Sequence, residues 1–157
     1  MVRLEQVNAE NINDMRYLSI DDNQKKFLME GPLFFIAESK FYPNRIPMAI
    51  YGDGRIVGFF IYGLSEDEAN KCYIICGLMI DKKYQKKGYG KKALEIIINE
   101  IKKDKACNKI VLSVIEDNTV AIKLYKSLGF EVNDFSRFVI DEDTGICHNY
   151  ISMTLRY

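Results

Sequence analysis

This chain has no tryptophan, one histidine and three prolines among its 157 residues. His148 is the lone imidazole, and Cys72, Cys76, Cys107 and Cys147 include no CxxC pair. Neither a zinc site nor a disulfide framework is therefore expected, and the cysteines read as free thiols of a reducing cytoplasm. No apolar run approaches the roughly 20 residues that span a bilayer, and Met1-Val-Arg-Leu-Glu-Gln6 carries no hydrophobic signal region. A membrane partner is not expected. Net charge is missing as well: 22 basic side chains balance 22 acidic ones. That balance gives no bulk attraction to nucleic acid. What is present is an ordinary globular composition, 48% hydrophobic and 28% charged, of a size that suits one domain over 1–157.

The pattern along the chain alternates between the two secondary structures. Arg3–Val7 reads as a strand, and Asn8 as the N-cap of a helix through Leu18. Gln24–Glu30 and Leu33–Phe41 read as helical pieces separated at Gly31-Pro32. Ile46–Tyr51 and Ile56–Tyr62 flank Gly52-Asp53-Gly54-Arg55, a hairpin signal. A strand at 72–80, a helix at 91–103, a strand at 109–115 and a helix at 119–128 follow. Strands near 130–139 and 146–155 are joined at Asp141–Gly145. This predicts an α/β fold, a mixed sheet with parallel central strands and antiparallel flanks.

Between strand 72–80 and helix 91–103 lies Gln85-Lys-Lys-Gly-Tyr-Gly90. A strand, a short glycine loop and a helix N-terminus together bind anions, because free backbone N–H groups and the positive helix end converge there. Gly88 and Gly90 let backbone approach a ligand closely. Lys82, Lys83, Lys86, Lys87, Lys91 and Lys92 ring the loop, so a phosphorylated cofactor is expected. No Ser or Thr follows Lys91, which rules out the magnesium-holding P-loop. A dinucleotide fingerprint is matched only in part, with Ala93 in its last position.

A second motif lies 33 residues after Gln85: Asn118-Thr-Val-Ala121-Ile-Lys-Leu124-Tyr125-Lys-Ser-Leu-Gly129-Phe130. Gln-x-x-Gly-x-Gly followed by Asn-x-x-Ala-x-x-Leu-Tyr-x-x-x-Gly-Phe resembles the GCN5-related N-acetyltransferase (GNAT) superfamily, over roughly residues 46 to 139. The resemblance implies acetyl-CoA bound where two parallel strands splay apart. It places the pyrophosphate on Gln85, Lys86, Lys87, Gly88, Tyr89, Gly90 and Lys91. The pantetheine arm would pair with the backbone of Leu78, Met79 and Ile80, and meet Asn118 and Ala121. Tyr125 matches the tyrosine that protonates the coenzyme A sulfur; on local grounds it is also a packing aromatic of an amphipathic helix, just as Asn118 is a helix cap.

The acceptor is less sharply marked. Polyamine-type relatives often carry an acid nine residues before the loop glutamine, but Cys76 stands there. Glu38, Asp81, the Asp21-Asp22 pair or a water chain to bulk are the alternative bases. Each carboxylate is also an ordinary surface charge, and the base stays unassigned. Gln24-x-x-Phe27, Pro47-x-Ala49-Ile50-Tyr51 and Val57-Gly58-Phe59-x-x-Tyr62-Gly63 are similar to bacterial spermidine/spermine (diamine) acetyltransferases. A polycation would suit Asp21, Asp22, Glu38 and Tyr62, with Glu66-Asp67-Glu68 nearby in sequence. The expected substrate is thus a primary amine, first of all a polyamine such as spermidine or spermine. A protein N-terminus, amino acid or aminoglycoside stays open, as do a non-catalytic acetyl-CoA-binding module and a homodimer.

Overall fold

A computed structural model describes residues 1–28, 30–65, 71–140 and 147–157. The acidic stretch 66–68 and the turn 141–145 fall outside the described residues. Seven strands form one sheet: β1 (Val2–Gln6), β2 (Arg45–Gly52), β3 (Arg55–Leu64), β4 (Tyr73–Ile80), β5 (Lys109–Ile115), β6 (Glu131–Ile140) and β7 (Cys147–Arg156). Their order is β1-β2-β3-β4-β5-β7-β6. Only β4 and β5 run parallel; the other pairings are antiparallel. The helices are α1 (Ile12–Met15), α2 (Pro32–Glu38), α3 (Tyr89–Ile101) and α4 (Thr119–Ser127), with 3₁₀ turns at Asp22–Phe27 and Lys82–Tyr84. None of the described helices is long and apolar enough to cross a membrane.

Local chemistry sets the boundaries. Asp53 and Gly54 both take positive φ, 49° and 82°, which is what a two-residue hairpin turn between β2 and β3 requires. The helix expected from Asn8 to Leu18 shrinks to α1, because the Asn8 side chain accepts from the amides of Glu10 and Asn11 at 2.8 and 3.3 Å and holds a turn instead. The helical piece at 24–30 is the 3₁₀ turn Asp22–Phe27. Pro32 opens α2, where its missing N–H is harmless. That helix stops at Glu38 rather than Phe41, as Ser39 Oγ donates back to Ile36 O at 2.7 Å.

Two apolar layers sandwich the sheet. On one face α3 buries Ala93, Leu94, Ile97, Ile98 and Ile101, spaced for one helical stripe, against Phe60, Ile110, Leu112, Val114, Tyr125 and Phe130. On the other, Met15 and Ile36 pack on Ala49, Phe59 and Ile61. Neighbouring residues Phe59 and Phe60 thus serve opposite layers, each fully buried.

The decisive feature is a break between the parallel strands. β4 and β5 pair only at Tyr73↔Ile110 and Ile74↔Val111. Along β3, Phe59 and Ile61 face Met79 and Cys76, so two steps on one strand oppose three on the other. The extra residue is a bulge in β4, and Gly77 beside it has φ 64°. A bulge bends its strand, and the pairing of β4 with β5 stops at Ile74, just short of it. The backbone groups of β4 beyond Ile74 that point toward β5 are left without a ladder partner.

Candidate active site

The gap between β4 and β5 opens toward the loop that joins β4 to α3. Gly88 caps α3 in the left-handed region, φ 81°. A Cβ built there meets nothing within 4 Å, so the space above the loop is free. The first amide bonded within the helix is that of Lys92, to Gly88 O at 3.1 Å. The amides of Tyr89, Gly90 and Lys91 are therefore left for a ligand. Lys86 is also left-handed, φ 61°, and Lys86, Lys87 and Lys91 are exposed. Gly90 needs no unusual dihedral: a Cβ there would make ordinary contact with Ile80 and Leu124 at 3.5 and 3.9 Å. The Tyr89 hydroxyl donates to Asp53 Oδ2 at 2.9 Å and the Gln85 amide turns inward, so both can serve the loop only through backbone.

Across the gap, Asn118 Oδ1 accepts from Ala121 N at 3.2 Å and caps α4. Two turns on, Tyr125 is buried, its ring 6.0 Å from Phe130. Burial pushes its phenol up to about 12, with the neighbouring Cys76 adding to the rise. Tyr125 therefore keeps its proton across the physiological range. Unpaired strand backbone, free helix amides, a basic rim and an empty space over Gly88 fit a cofactor with an amide-bearing arm and a pyrophosphate.

The predicted acceptor residues are not gathered in one place. Glu38, at the end of α2, lies 3.0 Å from Arg45 Nη1, and Arg45 stacks over Tyr42 at 4.2 Å. Both charges act on Cys76, yet burial dominates and pushes that thiol up, which argues against a thiolate base. Phe35, one turn before Glu38, stacks on Phe59 and lies 3.3 Å from where a Gly77 Cβ would be. Asp22 is 93% exposed and pairs with Lys25, and Asp21 opens the same 3₁₀ turn. Tyr62 belongs elsewhere: it packs with Phe60 and Tyr73 in the α3 layer, and burial and then Glu100 raise its phenol. Alternation along β3 puts it opposite the α2 face. Asp81 is likewise removed from the base candidates. It is 3% exposed, with its oxygens occupied by the amides of Ser19 and Lys83, each at 2.9 Å.

Sequence reasoning missed Arg45, Phe35 and the inward role of Gln85, for which no local signal existed. A cavity of about 350 Å³ lined by Tyr17, Tyr51, Arg55, Lys83 and Tyr84 lies away from Tyr125 and is not the site described.

Comparison with known proteins gives the family. The model of the Acetyltransferase (GNAT) family matches residues 12–130. A probable spermine N(1)-acetyltransferase of Bacillus subtilis subsp. natto is 35% identical over 120 residues, 74% of this chain and 78% of that protein. A [ribosomal protein bS18]-alanine N-acetyltransferase of Haemophilus ducreyi is 36% identical over 75 residues, 48% of each chain. The crystal structure of spermidine N-acetyltransferase from Vibrio cholerae, in complex with CoA and spermine, superposes with a TM-score of 0.76 at 14% identity, covering 99% of this chain and 95% of that one.

Proposed function

The chain belongs to the GNAT acetyltransferase family, whose acetyl donor is acetyl-CoA, and on that premise we propose that it acetylates a primary amine of a polyamine such as spermidine or spermine. The observation that carries the polyamine reading is the likeness to a spermine acetyltransferase over 74% of the chain. Acetyl-CoA supplies an activated acetyl thioester. The amides of Tyr89, Gly90 and Lys91, with Lys86 and Lys87, hold the pyrophosphate, and Gly88 leaves room for it. The unpaired backbone of Leu78, Met79 and Ile80 holds the pantetheine arm in the gap, with Asn118 and Ala121 on its far side. The neutral amine would attack the thioester carbonyl and break the C–S bond. The Tyr125 hydroxyl would donate its proton to the departing thiolate, and the proton shed by the amine would leave through water, which reprotonates Tyr125.

Glu38, Asp21 and Asp22 are the carboxylates available for the remote ammonium groups. Of these, Glu38 is the one that interacts with Cys76, the position where polyamine-type relatives carry an acid. A specific observation favours a second reading. Arg45 offsets the charge of Glu38 and presents a guanidinium that would hold a carboxylate or peptide carbonyl, and part of the chain resembles a protein-alanine acetyltransferase.

A turnover screen following thiol release from acetyl-CoA separates the two. The expected result is saturable turnover of spermine or spermidine. Turnover of an alanine-terminated peptide, an amino acid or an aminoglycoside, with none of either polyamine, would overturn the first reading.

A further inference from the structure

Gln85 begins the glycine loop, yet its side chain is committed elsewhere. Its Nε2 donates to Ile80 O at 2.9 Å and to Gln24 Oε1 at 2.8 Å, and its Oε1 accepts from Gln24 Nε2 at 3.1 Å. The two amides close a reciprocal pair between positions 61 residues apart. Gln24 Oε1 also accepts from Asp21 N at 3.4 Å. A second tie sits four residues before Gln85. The buried Asp81 accepts from Ser19 N at 2.9 Å and Ser19 Oγ at 3.4 Å, and Lys82 N donates to Ser19 O at 2.8 Å. The strip Ser19–Phe27 is thereby fastened at Ser19 and at Gln24 to the strip Asp81–Gln85. Among the described residues, the 3₁₀ turn Asp22–Phe27 buries none of its own.

We propose that Gln24 is a positioning residue, which transmits the ordering of the glycine loop by its cofactor to the segment 19–27 and so places Asp21 and Asp22. The inference rests on reading the loop as the acetyl-CoA site and the segment as part of the acceptor wall. Its physical basis is entropic. A loop immobilised by an anion immobilises whatever is bonded to it, and an amine arriving second meets a wall already ordered. Linkage makes the effect reciprocal, so a bound amine tightens cofactor binding by the same factor.

Hydrogen–deuterium exchange with coenzyme A alone tests this without any acceptor. Coenzyme A should slow exchange in both 85–91 and 19–28 of the unaltered protein. In Gln24→Ala the slowing at 85–91 should persist while that at 19–28 falls at least about threefold. The conservative Gln24→Asn, and the paired Gln24→Ala/Gln85→Ala, guard against a variant that merely unfolds. The paired variant should lose no more coupling than either single one. Kinetically, Gln24→Ala should raise KM for the amine about 5- to 50-fold and KM for acetyl-CoA at saturating amine by a similar factor, while the affinity for coenzyme A alone stays nearly unchanged.

Slowing at 85–91 with none at 19–28 in the unaltered protein would sink the proposal, as would equal slowing at 19–28 in Gln24→Ala. No slowing at 85–91 would overturn the cofactor site itself, and the proposal with it. The predicted exchange pattern, found in a protein that turns over no polyamine, would support the coupling and defeat only the acceptor assignment.

Discussion

Tyr125 lies in the apolar layer beneath α3 with 8% of its surface exposed, so it is at once a core ring and the proposed acid. Tyr125→Phe keeps the ring and removes the proton. Single-turnover acetyl transfer should slow about 10²–10⁴-fold while acetyl-CoA affinity by calorimetry stays near normal. The same phenol makes a stability prediction. Its folded value of about 12 exceeds the ordinary 10, so its contribution is whole below pH 10 and is lost as pH rises through 12. Urea titrations at pH 9 and pH 11 should show the original protein losing roughly 1–1.5 kcal/mol more than Tyr125→Phe over that interval. Gly88 and Gly90 separate geometry from space. Gly90→Ala should fold as well or slightly better, since alanine favours helix by up to about 1 kcal/mol, yet bind acetyl-CoA more weakly if ligand backbone contact is close. Gly88→Val strains a left-handed position as well as filling the free space, and should bind worse still.

At the scale of elements, the bulge in β4 governs the site, because it parts β4 from β5. Gly77→Ala places a Cβ at φ 64° and 3.3 Å from the Phe35 ring. It should lower stability by about 1–2 kcal/mol in chemical denaturation. Activity should fall further than that loss explains if β4 straightens toward β5; unchanged kcat/KM in a folded variant would show that the bulge does not set the gap. Asn118→Ala should lower stability by about 0.5–2 kcal/mol through its cap alone. Strands and long helices were legible because their periodicity is local. The short elements were not: Asn8 and Ser39 bond to nearby backbone and shorten helices that polarity patterns would extend.

For the whole molecule, a net charge of zero conceals a collar of lysines around the glycine loop and carboxylates scattered along the rest of the chain. If remote ammonium groups of a polyamine are held by exposed carboxylates such as Asp22, salt should screen them. KM for spermine should rise with ionic strength more steeply than KM for a short monoamine. Asp21→Asn/Asp22→Asn should flatten that dependence, as read in initial-rate assays from 0.02 to 0.5 M salt, a range chosen to bring the Debye length from roughly 20 Å to about 4 Å. An identical salt slope in the double variant would take both aspartates out of the acceptor site.

The sequence by itself determined the family, the mixed sheet, the glycine loop on a helix N-terminus, and the cap and tyrosine of α4. Each of these is written within one element, where dihedral preference, periodicity and spacing act. Only the tertiary structure decided what lies next to what. It set β7 between β5 and β6, an order that no local pattern specifies. It turned Tyr62 to the α3 layer through the alternation of β3, paired Glu38 with Arg45, and buried Asp81 under Ser19. It also joined Gln24 to Gln85 across 61 residues, a hydrogen-bonded pair that nothing in either local sequence specifies, since both partners become neighbours only when the sheet has formed.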